Sequence, residues 1–301
     1  MLGYRHPDYA ASLGEFGTPR ELPRCGGWIL ERQIPGSPYR DAMGCYPLFC
    51  CQDWSQLHAD IEDLGDDLVS LSLVTDPFGA YDVAYLQQCF KDVVIPFKEH
   101  YVIDLHRPMD EITGKRRRKH ARRALREVQV EVGQAPVAYL DEWTALYGNL
   151  IRKHEIRGIR TFSKAAFATQ FGIPGAVMLR AVRDGIVVGA QVYFVQDDVV
   201  HCHLGASSED GYAVGVTYAL DWVSIETFAD KARWLNLGGG AGTETDGTDG
   251  LSEYKRGWAT DTRTVYFCGR ILNPQRYAEI VQAKGLAPTS YFPAYRAGEF
   301  G

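Results

Sequence analysis

Ala176-Val-Met-Leu-Arg-Ala-Val182, Ile186-Val-Val-Gly-Ala-Gln-Val-Tyr-Phe-Val195 and Val199-Val-His-Cys-His-Leu-Gly-Ala206 follow one another, separated only by Arg183-Asp-Gly185 and Gln196-Asp-Asp198. Each run is rich in β-branched and aromatic residues, the composition of a strand. The two links have hairpin-turn chemistry, so the strands should form an antiparallel meander. Next, Val216 to Ala229 predicts a helix, and Arg233-Trp-Leu-Asn-Leu237 predicts another strand. Meander, helix, strand requires one crossover and leaves the last strand parallel to its neighbour. The fold class is therefore α/β (α+β), with a mixed, mainly antiparallel sheet flanked by helices.

Upstream, Leu140 to His154 and Ser163 to Phe171 read as helices, Val128 to Val132 as a strand, and Ile112 to Arg126 as a strongly basic helix. The first hundred residues also mix strands and helices. Gly27 to Arg32 reads as a strand, Pro35 to Pro38 as a turn, and Cys45-Tyr-Pro-Leu-Phe-Cys50 as a short apolar run. Trp54, Leu57, Ile61 and Leu64 have helical spacing behind Asp53, a residue suited to an N-cap. Leu68 to Val74 and His100 to Leu105 read as strands, and Tyr81 to Phe90 as a helix. With 301 residues the chain suffices for two domains, and the basic helix marks the expected junction: 1–126 and 127–301.

The chain is 46% hydrophobic and 23% charged, a packed globular profile. No stretch reaches the ~20 apolar residues of a membrane span. The start, Met1-Leu-Gly-Tyr-Arg-His-Pro7, has no signal-peptide core, so a cytoplasmic location is expected. Seven cysteines, an odd number without a C-x-x-C pair, give no disulfide framework or zinc motif, and no metal is expected. Net charge is −6, yet eight basic residues fall between Lys115 and Arg126, leaving the remainder more acidic still.

Two joints could carry chemistry. At Ser207-Ser-Glu-Asp-Gly-Tyr-Ala-Val-Gly-Val216 a strand ends, glycines permit tight turns and a helix opens, so its N–H groups could cradle an anion. The plain alternative is a common strand–turn–helix joint. At Trp234-Leu-Asn-Leu-Gly-Gly-Gly240 a strand closes on glycines, letting backbone approach a ligand, and Leu251-Ser-Glu-Tyr-Lys-Arg-Gly-Trp258 follows a polar loop. A lysine there could stabilise charge on a carbonyl oxygen, or simply lie on the surface. Candidate bases are His201, His203, Glu244, Asp246, Asp249 and Glu253, the two histidines sharing a strand face where packing competes with catalysis.

The succession helix, strand, Asn-Leu-Gly-Gly-Gly, loop, Tyr-Lys-Arg-Gly-Trp resembles the FemAB-like branch of the GNAT acyltransferase superfamily. Gly205-Ala-Ser-Ser and the Tyr101-Val-Ile-Asp-Leu strand before the Arg-rich helix fit as well. The resemblance spans roughly 100 to 270 and implies two GNAT-like domains in tandem, the N-terminal copy degenerate. It implies that Lys255 stabilises the oxyanion of a tetrahedral intermediate, with Tyr254 near the acyl carbonyl; apart from the resemblance, His203 is the base taken from the candidates above for its ordinary histidine pKa. Gly211, Tyr212, Gly215 and Val216 would hold the donor's phosphates, while Asn236, Gly238, Gly239 and Glu253 would meet substrate. The sequence departs from the family at Glu209 and Asp210, where coenzyme A-using members carry a basic residue.

The implied activity is transfer of an acyl group from an acyl thioester, acyl-CoA, to an amine of a small-molecule or peptide acceptor, without a tightly bound cofactor. The alternative is an aminoacyl-tRNA donor, with tRNA held through Arg116, Lys119 and Arg123. A non-catalytic nucleic-acid-binding protein is a second alternative, weakened by the scarcity of aromatics in the basic helix.

Overall fold

The computed structural model describes residues 1–241 and 249–299. The chain divides into two compact units, one made of 1–3 and 99–263, the other of 4–98 and the segment from Thr264 onward. This division does not coincide with the expected boundary at 126/127. Ala121 and Ala124 of the basic helix are fully buried in one cluster with Val216, Ala219 and Leu220, so that helix belongs to the larger unit. Cys268 is buried with Leu68 and Leu71, which ties the C-terminal segment to the N-terminal one.

The unit of 4–98 contains α1 (Pro7–Ser12), β1 (Thr18–Leu22), β2 (Gly27–Gln33), β3 (Arg40–Gly44), α2 (Leu57–Asp63), β4 (Leu68–Val74) and α3 (Val83–Cys89). β1, β2 and β3 form an antiparallel meander, and β4 returns parallel to β3 after α2. Cys45 to Cys50 is not a strand, contributing only a bridge from Phe49 to Thr75. Burying Ile29, Phe49, Trp54, Leu57, Leu68 and Leu71 together supplies this unit's core.

The unit of 99–263 contains β5 (Val93–Asp104) from residue 99, α4 (Met109–Ile112), α5 (Lys115–Ala124), β6 (Gln129–Gly133), α6 (Leu140–His154), α7 (Lys164–Phe171), β7 (Ala176–Arg183), β8 (Ile186–Gln196), β9 (Val199–Ser207), α8 (Glu209–Val214), α9 (Val216–Phe228), β10 (Trp234–Asn236) and α10 (Gly250–Arg256). Its strands run in the order β5-β10-β9-β8-β7-β6. β6 to β9 form the antiparallel meander, β10 pairs parallel with β9, and β5 pairs antiparallel with β10, so the anticipated crossover is present. Asp184 (φ 50°) and Gly185 (φ 78°) both take the left-handed conformation that a two-residue hairpin loop demands.

β11 (Asp261–Ile271) pairs antiparallel with β4 through residues 267–271 and leads into α11 (Pro274–Ala283). Each unit therefore has a meander, a helical crossover, a parallel strand and a further antiparallel strand. The meander has three strands in the N-terminal unit and four in the other. No described helix is long and apolar enough to cross a membrane.

Candidate active site

β10 pairs with the first three residues of β9, Val199 to His201, and the glycine run follows β10 directly. Asn236 is buried and anchors this end: its Oδ1 accepts from Gly238 N–H at 2.9 Å and lies 3.2 Å from His100 Nδ1, while Nδ2 lies 3.2 Å from His201 Nδ1. Satisfying all three contacts requires an Nδ1–H tautomer of His100 and an Nε2–H tautomer of His201. Asn236 is thus enclosed by protein groups and holds the strand end in shape. Gly238 has φ +77°, a conformation that calls for glycine, while a Cβ there would only touch Lys255 Nζ at 3.4 Å.

Asp249 caps α10 by accepting from the N–H groups of Leu251 and Ser252, each at 3.0 Å. Desolvation alone would raise the Asp249 carboxyl, but bonds from the Ser252 hydroxyl and neighbouring N–H groups bring it down to about 2. The helix so started carries Glu253, Tyr254, Lys255 and Arg256 in different directions. Lys255 Nζ donates to the Gly239 carbonyl at 2.6 Å, which fixes its head group against the glycine run. Arg256 turns instead to Tyr101, with Nη2 3.2 Å from the phenol oxygen. Glu253 is exposed. Tyr254 points into the unit and donates to Asp221 Oδ2 at 2.6 Å.

Asp221 went unnoticed in the sequence. It is 3% exposed, and Gln191 Nε2 donates to its Oδ1 at 2.8 Å, Gln191 in turn accepting from Tyr193 at 2.6 Å. Burial raises the Asp221 carboxyl above its ordinary value, opposed by the bonds from Tyr254 and Gln191. Burial and the neighbouring Asp221 likewise push the Tyr254 phenol well up. Cys202, nearby, is raised to about 12, mainly by burial and then by Asp221. A signal existed in the sequence: Asp221, Ser224, Ile225 and Phe228 share one helical face, and that face is buried.

His203 is the extra residue of a β-bulge, since Leu204 pairs with Val192 while Cys202 pairs with Tyr193. Its ring packs near Phe162 and Phe194 (centroids 5.6 and 5.0 Å) and its Nε2 lies 3.3 Å from Gln170 Oε1. Burial, and then the proximity of His201, lowers its pKa to about 3. A ring so enclosed and so weakly basic is placed for packing rather than for taking a proton from an amine. Glu244 and Asp246 lie outside the described residues.

At the other joint, α8 intervenes before the long helix α9. Ser208 caps α8 by accepting from Gly211 N–H at 3.1 Å and itself donates to the Val188 carbonyl at 3.2 Å. Gly211 is buried so close to β8 that a Cβ would collide with the Val188 carbonyl, and Val216 is fully buried. Gly211 and Val216 therefore pin the loop to the sheet. Tyr212 is exposed and Gly215 (φ +70°) half-buried, and these two remain at the surface. Lys153, at the end of α6, sits 3.5 Å from the Tyr212 ring centroid. It supplies a cation beside a loop whose own charges, Glu209 and Asp210, are negative. The structure brings Gly238, Gly239 and Lys255 together at the end of β10, while Tyr254 turns inward to Asp221. Tyr212 and Gly215 stand in the α8–α9 turn, and Arg116, Lys119 and Arg123 on the exposed side of α5.

Among the described residues none of the seven cysteines is joined in a disulfide. Among the described residues no group of three or more His, Cys, Asp or Glu side chains is disposed to hold a metal ion.

Residues 113–256 match the model of the acetyltransferase (GNAT) domain family. No curated protein matches the sequence. Among solved structures the chain is similar to FemX, at a TM-score of 0.65 and 14% identity over 91% of this chain and 93% of that one. It is also similar to L-PGS from Bacillus licheniformis, at 0.61 and 16%, over 94% and 97%. At such identities the likeness establishes the fold, and the expected tandem GNAT-like α/β architecture is met.

Proposed function

We propose that the chain is an acyltransferase that moves an acyl group from acyl-coenzyme A to an amine of a small-molecule or peptide acceptor, a reading supported by the match of residues 113–256 to the acetyltransferase (GNAT) domain model and by the likeness of its fold to FemX. The observation that carries this reading is the Lys255 ammonium, held 2.6 Å from the Gly239 carbonyl where the glycine run bares the backbone. Attack of an amine on a thioester carbonyl makes a tetrahedral intermediate whose oxygen is negative. Collapse breaks the carbon–sulfur bond, releases the thiolate and leaves an amide after the nitrogen loses a proton. A cation already oriented at that oxygen stabilises the intermediate more than the starting carbonyl. An ammonium has three N–H donors; Gly239 takes one and sets the direction of the head group. Tyr254, bonded to Asp221, stiffens the helix that presents Lys255.

The donor's phosphates are assigned to the α8–α9 turn at Tyr212 and Gly215, with Lys153 offsetting Glu209 and Asp210. Gly238 and Gly239 line the acyl end, and exposed Glu253 is suited to a cationic acceptor.

One observation favours a second donor, aminoacyl-tRNA. Lys115, Arg116, Lys119, Arg122, Arg123 and Arg126 are all exposed on and just beyond α5, without an ion pair to a carboxylate among the described residues. Cations in the first turn of a helix oppose its dipole, so the row is suited to an external polyanion. The experiment is transfer to a panel of amines from a series of acyl-CoAs and, separately, from aminoacyl-tRNA. Reversing Arg116, Lys119 and Arg123 to Glu should abolish RNA binding and spare transfer from the thioester. Turnover from aminoacyl-tRNA alone, lost on reversal, would replace the first reading with the second.

A further inference from the structure

One residue of the basic row does not belong to its exposed face. Arg117 lies on the same side of α5 as the buried Ala121 and Ala124, at the i, i+4, i+7 spacing of one helical face. Its guanidinium reaches the end of α10: Nη2 lies 3.4 Å from the Glu253 carbonyl and 3.3 Å from the Tyr254 carbonyl. These are among the last carbonyls of the helix, where the helix dipole is negative, and the Tyr254 carbonyl also accepts from Gly257 N–H at 3.3 Å, so Arg117 adds a second donor there. The ring of atoms is completed by Gly257. A Cβ built on Gly257 would fall inside the Arg117 guanidinium, so glycine leaves the room that the guanidinium fills. Gly257 itself has φ −81° and ψ −8°, which any residue adopts, so its role is spatial rather than conformational.

From this geometry we infer that Arg117 is a positioning residue for the transfer reaction: by capping the C-terminus of α10 it fixes the helix that carries Lys255, and Gly257 is the socket that admits it. The inference rests on the acyl-transfer reading for its kinetic consequence, and on the geometry alone for its structural one. Lys255 stands one residue from the capped carbonyls, with its ammonium tied at the other end to Gly239. α10 is held at its start by the Asp249 cap and at its finish by Arg117. Releasing the finish lets the ammonium wander by a fraction of an ångström to an ångström, a displacement that costs up to about 10²-fold in rate when a catalytic group must be preplaced. Arg117 lies outside the residues assigned above to donor and acceptor, so turnover should fall while donor affinity holds.

The socket provides its own test. Gly257→Ala keeps the Arg117 charge and expels its guanidinium, because the group in the way is the far end of a flexible side chain. Arg117→Met removes the guanidinium and leaves the socket. In the full-length protein, with acetyl-coenzyme A as donor and thiol release as readout, both variants should lower kcat about 10-fold or more. KM for the donor should stay within about 2-fold, and the double variant should be no worse than either single one, since both remove the same contact. Arg117→Lys, which keeps charge but loses the fork, should remain impaired, and added methylguanidinium should partly restore Arg117→Ala. Hydrogen exchange gives a readout independent of activity: amides of 252–258 should exchange faster in both variants, with those of β7 to β9 unchanged. If Lys255→Met is disabled while Arg117→Met and Gly257→Ala turn over like the wild type, the positioning role is wrong. If Lys255→Met is fully active or no transfer occurs, the functional reading fails, and unchanged exchange in 252–258 would overturn the clamp as well.

Discussion

Tyr254→Phe removes one hydroxyl and keeps the ring against Tyr218, whose centroid is 5.1 Å away. The 2.6 Å bond to Asp221 Oδ2 is lost, and Gln191, 2.8 Å from Oδ1, becomes the remaining side-chain donor to that carboxyl among the described residues. A hydrogen bond to a charged, buried acceptor contributes about 1.5–3 kcal/mol. In a unit of this size each kcal/mol moves the melting point by about 2–4 °C, so the variant should melt roughly 3–12 °C lower at pH 7.5. The sign with pH follows from the raised carboxyl. Burial lifts Asp221 above its ordinary value, so its contribution to stability is full below the unfolded pKa, near 3.9, and is lost as pH rises through the folded one. The phenol offsets part of that loss once the carboxylate is ionised. The deficit of Tyr254→Phe should therefore grow as pH rises through the raised pKa of Asp221. Calorimetry resolves the two units, which need not melt together, and Asp221→Asn with the double variant completes a thermodynamic cycle. A melting point within about 1 °C of wild type at pH 7.5, or a coupling below about 0.5 kcal/mol, would refute the buried bond.

The His203 ring is held neutral, with its pKa lowered to about 3, whereas the unfolded chain takes up that proton near 6.5. Stability should then fall as pH drops from about 6.5 towards 3, and His203→Gln should flatten that slope in melts taken from pH 4 to 7; an unchanged slope would mean His203 is not buried as described. Lys153→Met should raise KM for acyl-CoA by about 10-fold, the loss of one charge-assisted contact of ~1.5 kcal/mol, with kcat little altered. Unchanged KM would take Lys153 out of the donor site.

The order meander, helix, parallel strand was legible because hairpin turns need residues such as Asp184-Gly185 and strands need β-branched runs. The joint at β10 and α10 was legible because few residues but glycine tolerate φ +77°. Other parts were hidden for physical reasons. β11 and α11 complete the N-terminal unit although they follow the other one in sequence, and periodicity carries no information about such returns. α8 was read as a loop because its helix depends on the Ser208 cap and on Gly211 fitting against Val188. The His203 bulge cannot be seen in a strand pattern of period two. Asp221 and Arg117 were both written in the sequence as charged residues on apolar helical faces. The first was overlooked, and the second was lost in a row of like charges.

The measurement that bears most directly on acyl transfer at the end of β10 is the comparison of Lys255→Met with Arg256→Met in steady-state transfer from acyl-CoA. Lys255 lies on the Gly239 carbonyl and Arg256 on the Tyr101 phenol, so adjacent cations of one helix report different places. Losing a preplaced oxyanion donor typically costs about 10²–10³ in turnover, ~3–4 kcal/mol, and that is the loss expected for Lys255→Met, with donor affinity within about 2-fold of wild type. Arg256→Met should lose far less. Equal and small losses in the two variants would contradict the assignment of Lys255 and, with it, the placing of the chemistry at this strand end.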